Sequence, residues 1–376
     1  MFHTIITLAY TIPNIYLFLR IRKLFITKRQ RHYYDLSYIL IALIYPLSNL
    51  FSDADNSLAA DIFTMAADYL LPFYLYLFLF VLAYDVILLI NLLFKLLPKE
   101  ITKSTRYKKF AFSILISLSL STVVAGIINF NTIRNSEYRI DIPAKSSKTK
   151  NLRIAFVADF HLQAETNIHF VERFAKNISI INPDILLFGG DIVEGNSENE
   201  DMRKIESVLK EIKTKYGSFA VLGNHEHYSG EANGDFFHRA GIKVLIDTTI
   251  VIDQSFNLAG RNDAHFRGRK TIDALLRNRA DSLPVILIDH RPTDLERVSS
   301  SAADVQFSGH IHNGQLFPIN LITGRVYELS WGHLKKDNTD FFVTSGIRLW
   351  GPPVRTTGKS EIMVVDIAFA VHFGYR

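Results

Sequence analysis

Cysteine is missing from all 376 residues, which removes disulfide staples, thiolate nucleophiles and thiolate metal sites together. Any metal must therefore be held by nitrogen and oxygen. Internal repeats and low-complexity tracts are also missing. The second half lacks a basic surplus: residues 151–376 hold 25 Lys and Arg against 28 Asp and Glu, whereas residues 1–150 hold 17 against 9. A nucleic-acid track needs clustered positive charge on the soluble surface, so no nucleic-acid partner is expected. The length exceeds what one ordinary core accommodates, and the charge division predicts two units of different character.

The basic half is also the apolar half. Four apolar stretches occur, Phe2–Leu19, Leu36–Phe51, Tyr69–Leu97 and Phe110–Phe130. A bilayer crossing takes roughly 20 apolar residues, which the last two exceed and the first two approach. The expectation is an all-α transmembrane domain of about four helices over residues 1–130. The charges of the first stretch (Arg20, Arg22, Lys23, Lys28, Arg29, Arg31) follow its apolar run rather than precede it, so it reads as retained rather than as a cleaved signal. Six Lys and Arg lie between Lys95 and Lys109, while residues 52–68 carry only Asp53, Asp55, Asp61 and Asp68. By the positive-inside rule the basic loops are cytoplasmic, and an even number of spans puts both termini and the C-terminal domain outside. Asp85, deep in the third stretch, either contacts a relay or lipid head group or sits near an interface because the segment is tilted or broken.

After a linker at 131–150, short runs rich in Val, Ile and Phe (Leu152–Ala158, Ile185–Phe188, Phe219–Leu222, Pro284–Ile288, Val305–Phe307) alternate with helix-compatible stretches at 167–179 and 201–215. That is α/β patterning, in which ligands bind beyond the carboxyl ends of strands. Each run leads into polar residues able to bind a cation. In order they are Asp159-Phe160-His161, Gly189-Gly190-Asp191-Ile192-Val193-Glu194, Gly223-Asn224-His225-Glu226, His290 and Gly309-His310-Ile311-His312-Asn313-Gly314-Gln315. Taken singly, the first, second and fourth are weak signals that turns or packing produce by chance. Two histidines one residue apart after a strand are the strongest single element. Jointly, one binuclear site explains every element.

This order of motifs resembles the calcineurin-like metallophosphoesterase family, and the phrases GHIHNGQ and FFVTSGIRLWGPPVRTTGKSEIMVVDI look like its bacterial membrane-associated branch. The resemblance spans about residues 150–368. It implies a four-layer α/β sandwich, two mixed sheets flanked by helices, over residues 151–370, and a pair of divalent cations drawn from Mn, Fe or Zn. It further implies one cation on Asp159, His161, Asp191 and His312 and a second on Asp191, Asn224, His290 and His310, with Asp191 bridging. His225 would serve the leaving group, with Glu226 orienting its ring. Ala158, Glu194, Glu226 and Asn313 depart from the commonest family residues without removing a ligand. The expected activity is hydrolysis of a phosphomonoester or phosphodiester, as in a phosphodiesterase, of a membrane-proximal lipid- or nucleotide-linked substrate. A nuclease of the same superfamily and a non-catalytic metal-binding domain are the alternatives. His227, His238, His265 and His333 are assigned to surface or packing roles, although His227 and His265 lie close enough in sequence to line the pocket. Arg261, Arg291, Arg348 and Arg355 could offer forks to phosphate, with solvation as the default.

Overall fold

The computed structural model describes residues 2–51, 58–229 and 234–370, and the chain forms two compact units, Met1–Ile128 with Gly351–Thr356, and Asn129–Trp350 with Thr357–Arg376.

The first unit is helical: α1 (Phe2–Leu24), α2 (Arg31–Ala42), α3 (Ile44–Phe51), α4 (Leu58–Phe94), α5 (Lys99–Lys103) and α6 (Thr105–Asn131, whose last residues pass into the second unit). The second apolar stretch is interrupted at Leu43 into helices of 12 and 8 residues, each short of the roughly 20 a crossing needs. Among the described residues, two helices are long and apolar enough to cross a membrane, Ala60–Phe94 and Thr105–Asn131. They are not core helices of a soluble domain, because Val86, Ile87, Leu89, Leu92 and Phe94 of α4 and Phe110, Ile114, Leu118, Val124 and Ile128 of α6 face outward. Residues 52–57, which include Asp53 and Asp55 of the acidic loop, lie outside the described residues. Asp85 finds its partner within the protein. Arg20 Nε donates to both carboxylate oxygens at 2.7 Å, and the Tyr16 hydroxyl donates to the same group. An internal ion pair between α1 and α4 offsets the cost of that charge.

The second unit contains the strands β1 (Ile133–Pro143), β2 (Asn151–Val157), β3 (Ile185–Phe188), β4 (Ser218–Ala220), β5 (Lys243–Val244) and β6 (Thr248–Ile252). The remaining strands are β7 (Phe256–Arg261), β8 (Val285–Asp289), β9 (Val305–Ser308), β10 (Gly332–Lys336), β11 (Thr339–Val343) and β12 (Ser360–Ala370). They form two mixed six-stranded sheets of order β1-β12-β2-β3-β4-β5 and β10-β11-β9-β8-β7-β6. Side chains alternate between the two faces of each strand. In the first sheet Ile154, Phe156, Ile185 and Leu187 meet Ile286, Ile288, Phe307 and Phe342 of the second. The intervening residues Ala155, Val157, Leu186 and Phe188 pack under α7 (Ile168–Ile181) and α8 (Glu200–Lys210) through Phe174, Ile178, Met202 and Ile205. On the far side Leu287, Phe341 and Val343 pack with Leu275, Leu295 and Val298. The result is the four-layer sandwich.

Residues 131–150 are not a plain linker. Eleven of them form β1, paired in parallel with β12 from Ile133 opposite Ser360 to Pro143 opposite Ala370. The strand escapes notice in the sequence because it is an edge, exposed at Arg134 and Glu137 while burying Ser136, Ile140 and Ile142, so its apolar content is low.

The Phe307 ring lies 5.0 Å from Phe156 and 5.3 Å from Phe342 between the sheets and is fully buried. Phe307→Ala should cost about 3–5 kcal/mol. In the full chain followed by circular dichroism, the unfolding midpoint of the αβ unit should fall by about 10 °C.

Candidate metal centre

Every expected ligand lies just past the carboxyl end of a strand: Asp159 and His161 after β2, Asp191 after β3, Asn224 after β4, His290 after β8, and His310 and His312 after β9. Five of the seven adopt left-handed backbone conformations, with φ of 56° at Asp159, 46° at His161, 53° at Asp191, 73° at His310 and 53° at His312. Such conformations cost non-glycine residues of order 1 kcal/mol each and persist only where surrounding bonds over-determine them. Those bonds are present. Asp159 N donates to Gly190 O and His161 N to Asp191 O, both at 3.0 Å. The Asp159 carboxylate accepts from His310 N at 3.0 Å, and Asp191 Oδ1 accepts from His225 N at 2.8 Å.

Glu226 is the hub of this network. On the first turn of α9 (Asn224–Ser229), its fully buried carboxylate accepts from the backbone N–H groups of Asp191, Ile192, Val193 and Gly223 at 2.5–3.0 Å. Sequence reasoning assigned Glu226 to the His225 ring, but its two oxygens are committed to four N–H groups. Glu194 stands beside that ring instead, with Oε1 3.5 Å from His225 Nδ1 and Oε2 3.2 Å from His161 Nδ1.

Three groups of donors have ligand atoms within 4.8 Å of one another: Asp159 with His161 and His312, Asp191 with His290 and His310, and His161 with Glu194 and His225. The first brings His161 Nε2 to 3.4 Å from His312 Nε2, and the second brings His290 Nε2 to 3.1 Å from Asp191 Oδ2. His290 Nδ1 donates to Gly189 O at 2.8 Å, so a neutral imidazole turns its Nε2 lone pair toward a carboxylate. Only a cation or a proton reconciles the two. His310 Nδ1 is buried without a hydrogen-bond partner among the described residues. Asn224 Oδ1 accepts from Arg291 Nη2 at 3.2 Å and keeps a second lone pair. The donors therefore fit divalent cations held by nitrogen and oxygen.

Titration follows this crowding. Burial draws His290 down, but Asp191, Asp159 and Asp263 outweigh it and raise the ring to about 10. Burial, helped by His290 and Arg291, lowers His310 to about 3. Burial opposes ionisation of Asp191, yet His290 holds its carboxyl well below the usual range. Glu194, likewise desolvated, is held at about 2 by bonds from His161 and His225. His225 is desolvated too, but its contact with Glu194 raises it above the ordinary imidazole value.

Outside the ligands, the expectation of solvated arginines fails. Arg261 pairs with buried Asp289 at 3.0 Å, Arg291 donates two hydrogen bonds to the Asp263 carboxylate at 2.8 and 3.0 Å, and Arg348 lies over the Phe130 and Phe170 rings at 5.3 Å. Arg355 is fully buried. His238 is exposed and His333 bonds Asp340 at 2.8 Å. His227 and His265 stand at the mouth of the centre with two rings that sequence reasoning missed. Tyr228 lies 5.7 Å from His225 and 4.9 Å from His265, and Phe266 stacks on His227 at 6.1 Å. Tyr228 and Phe266 are 61% and 48% exposed, which makes them a shelf rather than core. The sequence signal was available only as aromatics adjacent to His227 and His265.

Comparison with known proteins places these residues among relatives. The description "Calcineurin-like phosphoesterase" belongs to the family pattern that matches residues 152–314. The chain is 28% identical to an uncharacterized metallophosphoesterase of Campylobacter jejuni across 97% of its own length and 98% of that protein. It is 31% identical to an uncharacterized metallophosphoesterase of Aquifex aeolicus over 62% of its length and 92% of that protein. A Danio rerio protein described as "Transmembrane protein with metallophosphoesterase domain" is 24% identical over 73% of the chain and 67% of that protein.

Gly223 tests the closeness of the two carboxylate loops. A Cβ there would land on the Asp191 carboxylate and lie 2.5 Å from Asp191 N. Gly223→Ala should displace Asp191 and leave purified protein with less than half its divalent metal by elemental analysis, while Gly324→Ala, whose Cβ would approach only Ser330 Oγ at 3.9 Å, should retain it.

Proposed function

The chain belongs to the calcineurin-like metallophosphoesterase family and is a hydrolase of phosphoester bonds, and we propose that its substrate is a phosphomonoester or phosphodiester presented at a membrane, in lipid- or nucleotide-linked form. The observation that carries the reading is the convergence, from the ends of β2, β3, β8 and β9, of the two donor clusters beside His225, which follows β4. Asp159, His161 and His312 would hold one cation and Asn224, His290 and His310 a second, with Asp191 shared. The nitrogen and oxygen donors suit Mn, Fe or Zn. When bound, such cations supply the Lewis acidity that activates water and offsets charge developing on the phosphoryl oxygens.

The chain's own residues do the rest. His225 stands outside the two clusters assigned to the cations and meets His161 and Glu194 in the third group, and with Nδ1 beside Glu194 its other nitrogen is the one that can give a proton to the departing oxygen. Glu194 positions that ring and the His161 ring together. Tyr228, next to His225, borders the leaving-group side and offers it a flat apolar wall. The membrane part of the reading is supported by the two long apolar helices and by the Danio rerio relative's name. The basic loop at 95–109 favours a cytoplasmic start for α6 and hence an extracytoplasmic catalytic domain in a multi-pass protein. A nuclease would need positive charge that residues 151–376 do not have in excess.

The full chain with added Mn, assayed on an aryl phosphomonoester, an aryl phosphodiester and a panel of phospholipid and nucleotide-lipid head groups, tests the reading directly. His225→Ala should keep its metal and lose about 10²–10⁴ in turnover, whereas Asp191→Ala should lose metal as well. Reversed behaviour would show that the roles are exchanged. Reporters fused after Arg376 check the side: active alkaline phosphatase with dark green fluorescent protein is expected, and the opposite pair places the domain in the cytoplasm.

A further inference from the structure

We propose that the helix Ile319–Val326, which follows the His310-Ile311-His312 motif, docks the catalytic domain onto the lipid surface, as a contact separate from the two long apolar helices. The helix is turned inside out. None of its residues is buried, and Ile319, Leu321, Ile322 and Val326 are 40, 56, 61 and 71% exposed, with Phe317 just before it at 47%. Ile319, Ile322 and Val326 recur at helical spacing on one face, whereas the less exposed Asn320 and Thr323 take the inner positions. A stripe of this kind normally faces a core.

A bilayer suits this face better than a protein partner. A single residue, Thr132, lies between the end of α6 and the start of β1 in the chain, so the catalytic domain is joined directly to an apolar helix of 27 residues long enough to cross a bilayer. The only charge on the helix is Arg325, in the last turn, where an anionic head group could accept from its guanidinium. The helix is also fixed to the metal centre. Ile319 N donates to Leu316 O at 2.8 Å, and the turn His312–Gly314 packs so closely on Asn320 that Gly314 has no room for a Cβ. Docking this helix therefore holds the ligand His312 near the surface and favours an amphiphilic phosphoester. The inference rests on the membrane part of the proposed function but not on the identity of its substrate.

The absence of cysteine allows a clean test in the full chain. Single variants L321C and I322C, and the control K204C on α8, are labelled with bimane and reconstituted into nanodiscs of phosphatidylcholine and phosphatidylglycerol. Labels at 321 and 322 should be quenched by acyl-chain nitroxides at a depth of about 5–10 Å and shielded from aqueous iodide, with the reverse at 204. Equal iodide access at all three positions overturns the proposal. Shielding from iodide without lipid quenching also overturns it, since a protein surface would then cover the helix. Unchanged hydrolysis of a soluble aryl phosphodiester by the labelled variants shows that the site is intact. Failure to cleave any lipid-linked substrate leaves the depth result standing, and failure to dock leaves the substrate panel standing.

Discussion

The buried carboxylate of Glu226 is the interaction on which the catalytic half depends. Four backbone N–H groups from two strand-end loops point at it. A desolvated carboxylate is costly unless its lone pairs are filled, and a desolvated N–H is costly unless it has an acceptor. Here each offsets the other. Burial and the neighbouring Asp191 raise Glu226, while those N–H groups favour its charged form. The closure fixes the backbone of Asp191 and, through His161 N on Asp191 O, the backbone of the first motif. Ligand positions thus derive from main-chain bonds rather than from the flexibility of side chains, which is the support a catalytic constellation needs.

Much of this was legible in the sequence, because each ligand follows a strand whose β-branched and aromatic residues are unmistakable. The runs at 185–188 and 305–307 coincide almost residue for residue with β3 and β9. Roles that depend on side-chain direction were not legible. Glu226 and Glu194 are both carboxylates near His225, and only the fold shows that the first turns beneath the loop and the second lies against the ring. The pairing of Arg20 with Asp85, 65 residues apart, was hidden for the same reason. Strand β1 was missed because an exposed edge carries charge where a central strand carries apolar residues. The break at Leu43 was missed because the hydropathy of residues 36–51 is continuous although their helix is not.

The two halves answer opposite solvents with the same rule. In the helical unit many apolar side chains face outward around a small core of Leu17, Ile21, Leu77, Val81 and Leu115, and polar groups pair inside, where Tyr38 bonds Asn14 and Tyr10 bonds Ala42 O at 2.8 Å. In the catalytic unit the apolar residues fill three layers between and outside the sheets, and the polar residues gather at the strand ends. The helix Ile319–Val326 adds an outward apolar surface to that unit, as the exposed rings of Tyr228 and Phe266 do beside His225 and His227.

The bond from His310 N to the Asp159 carboxylate joins residues 151 apart in sequence. No short stretch of the chain can assemble the centre, since its donors come from both sheets and meet only when the second sheet has closed on the first. Closing loops of that size is slow and depends on most of the core being in place. During synthesis the first four ligands leave the ribosome well before His310 and His312, without the geometry to retain a cation. A cation held by these donors would accordingly be acquired late in the life of the polypeptide, from whatever is available where folding finishes.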